Sequence, residues 1–211
     1  VMIGSKLDFL KDKIKGRFEM EDLGDCKWVL GMRVTRDRSA RTLTLSQDCY
    51  IKEILDEFGM LNCRPITSPL PTNATTCPID SAKPSPTFNY RRGVGLLNYL
   101  VQCTRPDLAF SCSYLSQFLN NPSKTHQNHF LHVLRYLKYS HYFGLTLGAV
   151  SDSPSNLIAY ADASYCSAKQ AYSFSGSAIF FNGLIGWRCT KMDDDAPALS
   201  TTEAEYRACS E

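Results

Sequence analysis

Residues 5–19 place Leu7, Leu10, Ile14 and Phe18 as an apolar stripe among lysines and acids. Their i, i+3, i+7, i+11 recurrence predicts a helix, with Ser5 as its cap. Asp22-Leu23-Gly24-Asp25 predicts a turn. Trp28, Leu30, Met32 and Val34 then alternate with Val29, Gly31 and Arg33, the period of a strand. Thr42-Leu43-Thr44-Leu45 alternates again, and the polar run 36–40 between them suits a hairpin loop. Ser46 is the expected cap of a second helix. In it Ile51, Ile54, Leu55 and Phe58 keep the helical spacing, and Gly59 marks its end.

The pattern then breaks. Between 61 and 89, Pro65, Pro69, Pro71, Pro78, Pro84 and Pro86 punctuate a Thr/Ser-rich run that reads as an extended linker and a domain boundary. Residues 90–145 predict three helices. The first, 90–103, buries Val94, Leu97, Leu100 and Val101. The second opens at Thr104-Arg105-Pro106-Asp107, with threonine as cap and proline and aspartate in the first turn. Leu108, Cys112, Leu115 and Leu119 face its core. The third follows Pro122-Ser123 and runs to about Tyr139, with Phe130, Val133, Leu134 and Leu137 inward. The last stretch, 151–211, predicts strands over 157–165, 174–182 and 184–190, then a helix. Asn182-Gly183 between two apolar runs is a strong hairpin signal. In the first of these strands, Leu157, Ala159 and Ala161 are expected on the buried face, with Ile158, Tyr160 and Asp162 opposite.

Composition narrows the classes. The chain has 211 residues, 44% hydrophobic and 21% charged, enough to bury a core. Its net charge of +2 hides a gradient: 11 basic and 11 acidic residues over 1–60, 8 and 2 over 61–150, 4 and 8 over 151–211. A basic middle suits a polyanion and an acidic end suits metal, although solubility alone also accounts for the middle. The nine cysteines form no C-x-x-C pair, and several lie in apolar runs. Free thiols in a reducing compartment fit them better than disulfides or zinc. No stretch is long and apolar enough to span a bilayer, and no secretory leader opens the sequence. His126, His129 and His132, at i, i+3 and i+6, wrap too far around a helix for all three to share a ligand face, so they read as ordinary helix residues.

The candidate chemistry lies near the end. Ser200 and Glu203 have capping-box spacing, which gives Glu203 a local duty and leaves Glu205 without one. A strand aspartate, Asp162, with a first-turn helix glutamate, Glu205, is one way to hold divalent metal for phosphodiester hydrolysis. Taken alone, the pair reads as a surface charge and an ordinary helix acid that the helix dipole favours.

The longer strings change that. Y-x-D-A at Tyr160–Ala163, S-x-S-G at Ser173–Gly176, I-x-W at Ile185–Trp187 and A-L-S-x-T-E-A-E-Y-x-A at Ala198–Ala208 resemble, in order and spacing, the RNase H domain of copia-type LTR retrotransposon Pol polyproteins. Upstream, Phe18–Gly24, Leu30–Val34 and Leu43–Gln47 resemble the end of that family's reverse transcriptase palm. Ser68-Pro69-Leu70-Pro71 resembles its linker. Tyr90–Leu100, Thr104–Asp107 and Leu134–Lys138 resemble its thumb and connection region, with Gly95 and Leu96 differing in detail. The resemblance covers nearly the whole chain except 72–89.

It implies an α+β protein in four parts: a palm remnant over 1–60, a Pro/Ser/Thr-rich linker over 61–89, a helical thumb/connection over 90–150 and a partial RNase H-like domain over 151–211. It implies Gly31 and its neighbours near a primer terminus, and Val1–Gly4 as the last of a hairpin whose aspartate pair precedes the chain. It implies Asp162 and Glu205 as catalytic ligands of a paired Mg2+ site that needs two further acids. The implied partner is an RNA–DNA hybrid or template–primer duplex, not a membrane, with the rest of the polyprotein or a second copy completing the site. Arg91, Arg92, Arg105, Lys124, Arg135 and Lys138 are candidates to contact phosphates, and read equally as solvated faces or helix-end charges. The family's setting is intracellular, in a cytoplasmic virus-like particle or the nucleus, and not secreted. With both active sites incomplete, neither polymerase nor efficient RNase H activity is expected of these residues. The alternative is a non-enzymatic nucleic-acid-binding remnant or an inert relic. Tyr165, Ala171-Tyr172 and Asp193-Asp194-Asp195 depart from the family pattern.

Overall fold

The computed structural model describes residues 7–74, 82–85, 87–148, 156–164, 173–192, 198 and 200–210. Helix α1 (Leu7–Lys15) comes first, its Lys11 paired with Asp22 at 2.7 Å. The expected single strand over 28–34 is instead a hairpin. β1 (Trp28–Val29) and β2 (Met32–Asp37) pair antiparallel around a two-residue turn at Leu30 and Gly31, with φ of 48° and 73°. Such a turn needs left-handed backbone at both positions, which glycine accepts and leucine resists, so the apolar alternation concealed it. β2 continues into β3 (Thr42–Ser46). The loop between them is set by Asp37, whose carboxylate accepts the N–H groups of Ser39 and Ala40 at 2.9 and 3.0 Å.

Helix α2 (Asp48–Glu57) starts one residue later than expected, capped at Gln47 rather than Ser46, which closes β3. Gly59, at φ +66°, ends it. α3 (Tyr90–Cys103) and α5 (Lys124–Tyr139) match their expected spans. Between them a 3-10 turn (Pro106–Leu108) leads into α4 (Ala109–Ser116). Thr104 does not cap that turn. It closes α3, and its hydroxyl donates to the buried side-chain Oε1 of Gln47 at 2.7 Å.

The core joins what the sequence divided. Ile51, Ile54 and Leu55 of α2 pack in one cluster with Val94, Leu97 and Leu100 of α3, Leu115 of α4, and Phe130 and Leu134 of α5. Leu70 and Ala74 of the expected linker belong to the same cluster, so that part of it is packed rather than extended. Residues 75–81 and 86 lie outside the described residues. Strand β4 (Gly144–Gly148), which the sequence pattern missed, pairs antiparallel with β3 and completes a sheet of order β1-β2-β3-β4. The boundaries expected at 60 and 89 are therefore crossed by one core and one sheet.

β5 (Ile158–Ala163), β6 (Phe174–Phe180) and β7 (Leu184–Lys191) form a second, antiparallel sheet, followed by α6 (Thr201–Ser210). The Asn182-Gly183 hairpin stands as expected. Phe174 meets Phe110 edge-on with ring centroids 4.9 Å apart, and the Trp187 indole N–H donates to the Val101 carbonyl at 2.8 Å. Those contacts seat the second sheet on α3 and α4.

Candidate functional site

Asp162 lies on β5 opposite Gly176 of β6. Its neighbours correct one expectation: Leu157, Ala159 and Ala161 are exposed rather than buried. Among the described residues β5 pairs only with β6, which makes it an edge strand. Asp162 is exposed, and its carboxylate makes no hydrogen bond among the described residues.

Helix α6 packs on β5 and β6, with Ala204 and Ala208 buried. Ser200 Oγ accepts the Glu203 N–H at 3.1 Å, the expected cap, and Glu203 takes Arg207 at 2.6 Å one turn on. Glu205 is exposed and unengaged among the described residues, as its spacing implied, but it stands past the first turn of α6, whose first-turn acid is Glu203. The two carboxylates thus sit on elements that touch. Among the described residues no three acid, histidine or cysteine side chains converge as a metal-binding group. Asp162 and Glu205 alone do not fit a paired-ion centre. Tyr165, Ala171-Tyr172 and Asp193-Asp194-Asp195 lie outside the described residues.

The six candidate cations fall into two kinds. Arg105 is the most buried, at 1% exposure. Its guanidinium forks onto Asp107 at 2.9 and 2.7 Å, donates to the Ser140 carbonyl and hydroxyl at 3.1 and 2.6 Å, and lies over the Tyr136 and Phe143 rings. A guanidinium so enclosed is out of reach of a phosphate and acts within the fold. Arg92 is exposed but forks onto Glu57, and each partner's charge stabilises the other's ionised form. Arg91 donates to Asn120 at 3.2 Å, Lys124 to Gln127 at 3.1 Å and Arg135 to the Arg64 carbonyl at 2.8 Å. Those bonds are to neutral groups, so the charges remain uncancelled. Lys138, half-exposed, closes α5. Lys124 and Lys138 stand at opposite ends of that helix, roughly 21 Å apart along its axis.

The histidines serve three separate partners. His126 completes a capping box, its Nδ1 accepting the Ser123 N–H at 2.9 Å while its ring stacks on Phe118. Burial pushes its pKa down to about 4, and His129 nearby adds to that. His129 meets the Tyr114 hydroxyl and His132 the Ser68 carbonyl.

Sequence reasoning missed a second basic cluster. Lys27, Arg36, Arg38 and Arg41, with Asp22, Asp25 and Asp37 among them, line a groove of about 1640 Å3 over Leu43 and Leu45 of the first sheet. Arg38 pairs with Asp25 at 3.2 Å. The balanced charge of residues 1–60 hid the cluster, and the R-x-R-x-x-R spacing from 36 to 41 was its only signal. Also missed was the anchor of the β1–β2 turn, where the Tyr99 hydroxyl of α3 donates to the Leu30 carbonyl.

No family model matches the chain, and no solved structure does. Curated relatives do. Over 216 residues the chain is 35% identical to a retrovirus-related Pol polyprotein from transposon TNT 1-94 of Nicotiana tabacum, covering 96% of this chain and 15% of that protein. It is 31% identical over 199 residues to the Pol polyprotein from transposon RE1 of Arabidopsis thaliana, covering 93% of this chain and 13% of that one. An uncharacterized mitochondrial protein of Arabidopsis thaliana is 31% identical over 205 residues, 96% of this chain and 82% of its own length. The chain therefore spans about a seventh of the polyproteins it matches, with its two sheets and helical core all inside the aligned region. On those relatives, it belongs to the copia-type retrotransposon Pol polyprotein family.

Proposed function

We propose that these residues form a nucleic-acid-handling segment of a retrotransposon Pol polyprotein, spanning the end of a reverse transcriptase palm, its thumb/connection helices and the opening of an RNase H-like domain. The ligand is an RNA–DNA hybrid or template–primer duplex. The observation that carries this is similarity to Pol polyproteins over 96% of the chain. Arg91, Lys124, Arg135 and Lys138 keep uncancelled charge at or near the surface and are the residues assigned to phosphate.

Magnesium, where a complete domain binds it, supplies the Lewis acid and the hydroxide for hydrolysis. Asp162 and Glu205 are two carboxylates of such a centre and do not complete it, so no hydrolytic step is assigned to them. The setting that goes with this reading is inside the cell, in a particle or the nucleus. No helix among the described residues is long and apolar enough to cross a membrane.

The test is binding of a labelled RNA–DNA hybrid across a salt series, with Mg2+ present and cleavage followed in parallel. Binding is expected to weaken steeply with salt, by roughly 0.9 in log–log slope per phosphate engaged. Cleavage is not expected. Cleavage that disappears in Asp162→Asn would show that the acids are completed in another way, of which pairing with a second copy is one. The alternative, an inert relic, is favoured by one observation: Arg92 and Arg105 are both paired with carboxylates of this chain, Glu57 and Asp107. Folded protein with no salt-dependent binding would establish it.

A further inference from the structure

The two sheets meet at a backbone junction. Leu147 of β4 forms an antiparallel bridge with Gly183, and the Gly148 N–H donates to the Asn182 carbonyl at 2.7 Å. The tip of the β6–β7 hairpin is thereby fastened to the outer edge of the first sheet. Elsewhere along the seam Phe174 is buried in the helical core cluster and Cys189 packs against it. Beside the Phe110–Phe174 and Trp187–Val101 contacts lies a cavity of about 480 Å3, lined by Asn98, Val101, Gln102, Cys112, Trp187 and Cys189. Side chains around such a space forgo the dispersion contacts of a close-packed interior. The directional backbone bonds at the hairpin tip add a separate point of attachment.

We propose that the Asn182-Gly183 turn is a clasp that holds the three-stranded sheet in one orientation on the helical core. Glycine at 183 lets the hairpin approach β4, and glycine at 148 lets the end of β4 lie against Arg41 within the first sheet. Gly183 has φ +128°, and a Cβ there would sit 2.8 Å from the Thr146 carbonyl oxygen and 3.1 Å from the Leu147 Cα. Gly148 has φ +133°, and its Cβ would fall 2.1 Å from the Arg41 carbonyl oxygen. These obstacles are backbone atoms, which cannot rotate aside. With the clasp closed, both sheets move as one body. With it open, water enters the seam around Trp187 and Cys189. Asp162 and Glu205 ride on the clasped unit, so the clasp also fixes their reach from the cations of α3 and α5. That last consequence rests on the nucleic-acid reading, whereas the clasp does not.

Hydrogen exchange of the full chain tests it, with Trp187 emission read in a Trp28→Phe background. Gly183→Val is expected to speed exchange of the Gly148 amide by about tenfold or more while the α3 and α5 amides keep their protection. Trp187 emission should shift to the red. Gly186→Ala is the control, because its Cβ would meet Ile179 at an ordinary 3.7 Å, and it should change neither signal. A folded Gly183→Val protein with unaltered exchange and emission overturns the clasp. Should that variant not fold, the unmodified protein decides: slow exchange at Gly148 supports the clasp, and exchange at the rate of an open chain refutes it.

Discussion

Arg105 and His126 show how little a residue's type says about its place. Arg105 stands in a T-R-P-D string that invites a phosphate contact, yet it is the linchpin between α4's entry and the end of α5. Its ion-pair partner is two residues away, but the Ser140 acceptors are 35 residues distant, so no local pattern announces the burial. Arg105→Ala should leave Asp107 without its pair and the Ser140 carbonyl without its donor. A loss of about 3 kcal/mol in chemical denaturation is expected. His126 gives a pH dependence with a definite sign. Its folded pKa, about 4, lies below the ordinary histidine value, so the unfolded chain binds the extra proton first. Stability is therefore complete above about pH 6.5 and falls as pH drops toward 4, by up to about 3 kcal/mol over that window. Replacing His126 by Gln should flatten this slope in denaturation series run from pH 7 to pH 4.5. The neighbouring His129 and His132, lowered in the same direction, account for what slope remains.

Among the elements, those with a long helical period were legible and those defined by a distant partner were not. α3 and α5 carry full apolar stripes, and their spans follow from spacing and caps. β4 is five residues long, and the Thr44–Thr146 hydroxyl contact that marks its register links residues 102 apart. The β1–β2 turn escaped because Leu30 is not a turn residue. Glycines within α3 give a paired test of packing at this scale. A Cβ at Gly93 would approach the Phe130 ring to 2.5 Å, within a cluster that includes Phe58 and Phe88. Gly93→Ala should thus destabilise by roughly 1–3 kcal/mol despite its better helix propensity. At Gly95 a Cβ meets nothing within 4 Å, and Gly95→Ala should stabilise by roughly 0.5–1 kcal/mol. Thermal melts of the two variants should move in opposite directions.

For the whole molecule, the family was legible because strings such as A-L-S-x-T-E-A-E-Y-x-A carry chemistry and spacing together. The division into parts was less so, since α2, Leu70 and β4 all tie the expected palm remnant to the helices behind it. The Asp162 and Glu205 elements were identified correctly, while the openness of β5 was not: apolar composition read as burial, and burial depends on what lies alongside. That openness bears on how the protein behaves at high concentration. Leu157, Ile158 and Tyr160 are exposed along a strand whose outer row of N–H and C=O groups has no partner among the described residues. Such an edge templates strand addition between molecules. Turbidity and light scattering should therefore rise with protein concentration at conditions where the fold is intact, and Tyr160→Lys should suppress that rise, so that colloidal rather than conformational stability sets the limit on working with this chain.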